Sequence, residues 1–360
     1  MALSICFLST GAVIANVQQE ELTPLTDLGT STYLGSQGGL YPEGANERPL
    51  EHESIGMQIA LDQIKPLDLQ GNPNLIEGKI VMASLGMSNT TQEFAHFVPL
   101  TEQDPDLNPN LQVVDTAQGG KTAFQWADPL EECWEEFENR LLSAGVSGKQ
   151  LQVVWVKLAA RKSELTQPAF PARAYQLTQK IYQSIKNLKE KYPSVRIVYL
   201  SSRIYAGYAT TQLNPEPYAY ESGFAVKWLI EKQIEGKPFL SYEGEAAPFP
   251  WLSWGPYLWA NGMGTDNIEG GVPGRSDGLE WLPSDLLEDG THPSEQGREK
   301  VAEMLLTHLK SDPTSIPWFL GTTGESSIDA APVDSKPACG LVGLDAILFL
   351  SLLFFRSRFK

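Results

Sequence analysis

The sequence predicts an α/β protein, a three-layer α/β/α sandwich built around a central parallel sheet. Two patterns carry that expectation. Short Val- and Ile-rich runs recur along the chain, apolar on both faces, as strands buried from both sides require. Between them lie helical stretches with apolar residues at 3.6-residue spacing, and strands alternating with helices give a parallel sheet covered on both faces.

The first run is "GKIVMASLG", Gly78 to Gly86, followed by "MSNTTQEF", in which "TQEF" begins a helix. The second is "LQVVDTAQGG", Leu111 to Gly120, after which "PLEECWEEFENRLL" spaces Leu130, Trp134, Phe137 and Leu141 as one helical stripe. Third comes "LQVVWVKLA", Leu151 to Ala159, and then "ARAYQLTQKIYQSIKNLKEKYP" aligns Leu177, Ile181, Ile185 and Leu188 before Pro193 ends the helix. The fourth run is "VRIVYLSSR", Val195 to Arg203. A last helix, "SEQGREKVAEMLLTHLK", sets Val301, Leu305 and Leu309 on one stripe, with His308 beside it as a packing residue.

Two stretches lack a period. "YLGSQGGLYPEGANERP", Tyr33 to Pro49, is dense in Gly and Pro, and the segment from about 238 to 282 holds Trp251, Trp254, Trp259 and Trp281. The second reads as an aromatic-rich insert over the sheet. Its tryptophans either pack the insert, the simpler account, or stack on sugars.

The ends read as address labels. "MALSICFLSTGAVIANVQ" has a short apolar run and small residues suited to signal-peptidase cleavage, without a basic start, so residues 1–16 are a candidate signal peptide or else a buried strand. Residues 17–77 form a Gly/Pro-rich extension, 78–312 the main domain, and 313–340 a polar linker. Residues 341–360 combine an apolar run with Arg356, Arg358 and Lys360, the order of an anchor or sorting signal. The run is short for a membrane span and contains Asp345. The expected location is therefore the bacterial cell envelope or surface, after export, with membrane contact through this last segment.

The 360 residues, 42% hydrophobic, suffice for a large core. A net charge of −17 excludes nucleic acid as a partner. Cys6, Cys133 and Cys339 have no metal-ligand spacing and imply no disulfide framework, and Cys133 falls on the apolar side of its helix. No cofactor or metal is expected.

Ligands of open parallel sheets bind beyond the carboxyl ends of the strands. There the sequence places Ser88, on a strand-to-helix turn, then Gly119-Gly120, then Lys157. Near the end stands "EDGTHPSEQG", which holds Asp289 three residues before His292. A serine hydroxyl is a weak nucleophile unless an imidazole removes its proton, and a carboxylate that fixes the imidazole completes the set. Singly, each piece has a duller reading: a helix cap, a loop hydrogen bond, a solvated strand end.

In this order and placement, the residues resemble the SGNH (GDSL-type) hydrolase family across roughly 78–310. "GGLYPEGANERP" resembles a segment found in a secreted bacterial branch of it. The resemblance implies a flavodoxin-like fold, with Ser88 as nucleophile, His292 as general base and Asp289 as its orienting carboxylate. It further implies an oxyanion hole from the backbone N–H groups of Ser88 and Gly120. The family's third donor, an asparagine, is missing, and Lys157 is the nearest polar group to its place. The family's Gly-Asp-Ser reads Gly86-Met87-Ser88 here. Asn89 and Arg48 are candidate substrate-binding residues. The expected activity is that of a serine esterase, acting on acyl or acetyl esters of carbohydrates through an acyl-serine intermediate. The alternative is a surface carbohydrate-binding protein that kept the fold and lost catalysis.

Overall fold

The computed structural model describes residues 22–244, 247–262 and 274–321. The candidate signal peptide, the apolar C-terminal segment and most of the expected linker lie outside these residues. Among the described residues no helix is long and apolar enough to cross a membrane.

Five parallel strands form the sheet: β1 (Ile80–Gly86), β2 (Leu111–Val114), β3 (Leu151–Lys157), β4 (Ile197–Ser201) and β5 (Trp251–Trp254). Their spatial order is β2-β1-β3-β4-β5. The connection reverses direction between β1 and β3, and this is the place where a doubly wound sheet opens a crevice beyond its strand ends. β1, β3, β4 and β5 are buried along their whole length. That explains why their sequences run apolar instead of alternating.

The two faces carry separate cores. Val81, Ala83, Leu85, Val154 and Val198 point to one face and meet Phe137, Ile181, Ile185 and Phe224. These come from α3 (Cys133–Ser143), α4 (Ala172–Lys191) and α5 (Tyr218–Ile234). Met82, Val153, Trp155 and Tyr199 point to the other face and meet Ile59, Phe94, Val301 and Leu305. These come from α1 (Leu50–Asp62), α2 (Ser88–Gln103) and α6 (Glu295–Ser311). The period-2 alternation along β1 and β3 thus divides each strand between the two cores. Cys133 lies in the first core as a buried free thiol, which burial pushes up to about 12.

Three expectations about organisation change. The 238–282 segment is not an insert over the sheet, because its residues 251–254 are the edge strand β5. Trp251, Trp254, Trp259 and Trp281 are buried side chains and offer no platform for sugars. The strand escaped notice because "WLSW" is short and flanked by Pro and Gly, which read as irregular chain.

The Gly/Pro-rich stretch is no loose extension either. Leu25, Tyr33, Leu40 and Tyr41 belong to the first core. Trp254 Nε1 donates to the Leu40 carbonyl (2.7 Å), and Lys227 Nζ donates to the carbonyls of Gly38 and Tyr41 (2.8 and 2.9 Å). In α1, a Cβ at Gly56 would stand 2.4 Å from the Trp251 ring, so glycine lets the helix lie against β5. Finally, the compact body runs past residue 312, since Trp318 and Phe319 are buried in the second core.

Candidate active site

β1 stops at Gly86 because the chain must turn close to its neighbours. A Cβ there would lie 2.2 Å from Thr90 Oγ1 and 2.5 Å from the Lys157 carbonyl oxygen. Met87 is extended (φ −108°, ψ −164°) and Ser88 is the first residue of α2. Thr90 Oγ1 accepts from the Met87 N–H (3.3 Å) and donates to the Lys157 carbonyl (2.8 Å), which staples the turn to β3. Ser88 is thereby held at a helix N-terminus, where N–H groups without a carbonyl one turn behind favour negative charge.

The Asp289–His292 loop arrives from the far end of the chain and meets it. Ser88 Oγ is 2.9 Å from His292 Nε2, and His292 Nδ1 is 2.6 Å from Asp289 Oδ2. Asp289 Oδ1 accepts from the N–H groups of Thr291 and His292, both at 2.9 Å. Partial burial works to raise the Asp289 carboxyl, but these amides and the imidazole outweigh it and hold the group below the usual carboxylate range. A carboxylate that stays ionised keeps a proton on Nδ1 and leaves Nε2 free to accept the serine proton.

The loop is pinned from three directions. The Thr291 carbonyl accepts from Asn89 Nδ2 (2.9 Å) and from Arg203 Nη2 (3.2 Å). The Asp289 carbonyl accepts from the Thr210 N–H (3.0 Å), and Thr291 Oγ1 pairs with Thr211 Oγ1 (2.9 Å). Pro293 then leads into Ser294, whose Oγ caps α6 by accepting from the Gly297 N–H (3.3 Å).

Gly290 is the residue this packing cannot replace. Its φ is +60°, and a Cβ would lie 2.0 Å from the Tyr208 carbonyl oxygen. We expect Gly290→Ala to displace the loop and lower kcat about 100-fold, the size of effect that follows from misplacing a catalytic group by about 1 Å. Steady-state kinetics on a variant with native circular dichroism checks this. Unchanged kcat would show that the loop tolerates the shift.

Ser88 and His292 open onto a cavity of about 210 Å³. Gly120 lines it with φ +77°, and its carbonyl accepts from Arg161 Nη2 (2.9 Å). Asn89 also lines the cavity, but its amide is spent on the Thr291 carbonyl. The structure therefore brings Ser88, Asn89, Gly120, Asp289 and His292 together.

Lys157 and Arg48 lie away from the positions expected of them. Lys157 is wholly buried with its ammonium on the equally buried Glu93 carboxylate, so it does not reach the oxyanion position. Burial pushes the Lys157 ammonium down to about 8 and the Glu93 carboxyl up, while their attraction opposes both shifts. Arg48 lies in a different cavity, of about 800 Å³. There it pairs with Asp312, bonds Ser253 Oγ (3.0 Å) and stacks 5.2 Å above the Trp251 ring. A buried packing role replaces the substrate-binding one.

The remaining histidines are not rivals of His292. His52 and His308 are both pushed down to about 4 by burial and pack against Trp251 and Tyr199 respectively. His96 lies 3.6 Å from Glu295 near the surface.

Two cavity residues were missed by the sequence reading. Arg203 follows β4, and the rule of inspecting strand ends points to it as directly as to Lys157. Asn214 sits in the aperiodic chain between β4 and α5, and only the fold places it.

No family model matches the chain, and no curated protein matches it. Similar solved structures include a Bacteroides fragilis protein assigned as an acylhydrolase (13% identity, 72% of this chain and 96% of that one, TM-score 0.37). Another is a Clostridium thermocellum family 3 carbohydrate esterase (12%, 66% and 99%, 0.35). A third is a variant of an acetyl-xylooligosaccharide esterase from Geobacillus (14%, 64% and 95%, 0.35).

Proposed function

We propose that this chain is a metal-independent serine esterase of the SGNH type, cleaving short acyl esters through an acyl-Ser88 intermediate. The observation that carries the reading is the hydrogen-bonded row Ser88–His292–Asp289 at 2.9 and 2.6 Å, opening onto a cavity. These groups come from positions some two hundred residues apart, and burial alone does not require that meeting.

The chemistry follows from the row. Ser88 Oγ attacks the ester carbonyl carbon as His292 Nε2 takes the hydroxyl proton. The oxygen of the tetrahedral intermediate receives the backbone N–H groups of Ser88 and Gly120. Collapse breaks the bond to the alcohol oxygen, and His292 returns the proton to that leaving group. Water then attacks the acyl-serine with His292 again as base, releasing the acid and restoring Ser88. Asp289 stabilises the imidazolium in both halves.

A cavity of about 210 Å³ suits a short acyl group. The expectation of a carbohydrate on the alcohol side rested on export and on the aromatic-rich segment, and the tryptophans of that segment are core residues. The second reading, a binding protein that lost catalysis, is favoured by one observation: Lys157 is tied to Glu93, so no side chain replaces the absent asparagine from that strand.

Turnover of a small chromogenic acetyl ester by the full chain separates the two readings. We expect hydrolysis that is unaffected by EDTA. Absence of turnover favours the binding protein, and loss of activity on chelation overturns metal independence.

A further inference from the structure

We propose that the cavity selects esters that carry a carboxylate, and that Arg203 receives it. This rests on the serine-esterase reading of the same site. Arg203 is 1% exposed and lines the cavity. Only its Nη2 is engaged, on the Thr291 carbonyl, while Nε and Nη1 have no hydrogen-bond partner among the described residues. Buried donors left unmade are costly, and a guanidinium more so than a neutral group. Glu93, Glu216 and Asp289 act on Arg203 through space, but none is hydrogen-bonded to it.

The rest of the lining points the same way. The chain carries a net charge of −17, yet no Asp or Glu is among the described residues that line this cavity. Its charged members are Arg203 within and Arg161 at the more exposed side. Arg161 has Glu164 3.8 Å away and Arg203 feels Glu93, Glu216 and Asp289 through space, but none of these carboxylates is among the lining residues. Asn214 adds a second unmet group. Its Nδ2 donates to the Ala160 carbonyl (2.9 Å), and its buried Oδ1 has no partner among the described residues. Like Nε and Nη1 of Arg203, this oxygen is a buried, unpartnered polar atom of a residue that lines the cavity. In about 210 Å³ there is room for a small anion next to the scissile ester, and a carboxylate is one that arginine receives with strong, charge-assisted bonds.

The carboxylate can belong to either half of the ester, so the test uses two matched pairs of substrates. Monoethyl succinate against ethyl succinamate places the charge on the acyl side. The acetyl ester 4-acetoxybenzoate against 4-acetoxybenzamide places it on the alcohol side. In one pair, kcat/KM of the full chain is expected to favour the anionic ester by about tenfold to a hundredfold. Arg203→Met is expected to bring that ratio close to one, and Arg203→Lys to keep part of it. Both members of a pair are hydrolysed by the same preparation, so loss of folded protein lowers both rates and leaves the ratio intact.

A ratio near one in both pairs for the unmodified chain overturns the proposal. So does a preference that survives Arg203→Met and disappears in Arg161→Gln. An equal fall in kcat for all four esters in Arg203→Met overturns it as well, since that pattern belongs to an oxyanion donor or a positioning residue. If the unmodified chain hydrolyses none of the four, the esterase reading itself has failed and takes this inference with it.

Discussion

Ser88→Ala is expected to lower kcat for a small ester by about 10⁴- to 10⁶-fold, with His292→Ala falling in the same range. The double variant should be no slower than either single one. Nucleophile and base act as one unit: without Nε2 the hydroxyl keeps its proton, and without Oγ there is nothing for Nε2 to deprotonate. Neither change touches a core. Ser88 and His292 are half-buried at the cavity, so circular dichroism and the unfolding midpoint should stay near those of the parent. Parent-level kcat in both single variants removes the assigned roles. A double variant much slower than either would show that the two residues act independently.

Lys157→Met is expected to cost about 3–5 kcal/mol of stability, the usual cost of stranding one member of a buried ion pair. Glu93 would remain at 0% exposure with its partner gone. Replacing both residues, as Glu93→Met with Lys157→Met, should recover most of the loss, because two apolar side chains remove the desolvation cost from both sides. The pair sits between α2, which begins with Ser88, and β3. Chemical denaturation of the parent, of Lys157→Met and Glu93→Met singly, and of the double variant measures the cycle. The same proteins decide between roles for Lys157: the folded double variant should retain esterase activity. Its inactivity would restore Lys157 to the catalytic machinery.

The parts of the fold that announced themselves in the sequence were those with a clean period or a long apolar run. β1 to β4 and the helices α4 and α6 fall in this class, since burial on both faces or along one stripe leaves a repeating mark. β5 did not, because Trp-Leu-Ser-Trp between Pro250 and Gly255 lacks the paired Val that marked the equally short β2, and its partner is a strand some fifty residues earlier. The 22–62 region was misread for a related reason: the contacts that tie it to the sheet, such as Tyr41 Oη to Ser253 Oγ at 2.9 Å, join residues far apart in sequence.

In the site, "DGTH" was legible because one short loop supplies carboxylate, tight turn and imidazole together. Asn214 was not read, since nothing in its local sequence distinguishes a buried side chain with an unmet acceptor from a solvated one, and Arg203 was passed over although its place just after β4 marked it. Lys157 was misplaced for the complementary reason. A lysine at a strand end looks solvated until Glu93, on the facing helix, is brought against it.

The central claim is that Ser88 is activated by its neighbours, and reaction with an alkyl fluorophosphonate tests it most directly. One adduct per chain is expected, located on Ser88 by peptide mass spectrometry, with labelling absent in Ser88→Ala and strongly slowed in His292→Ala. No adduct on the folded parent protein, or labelling at equal rate after His292 is removed, would contradict it.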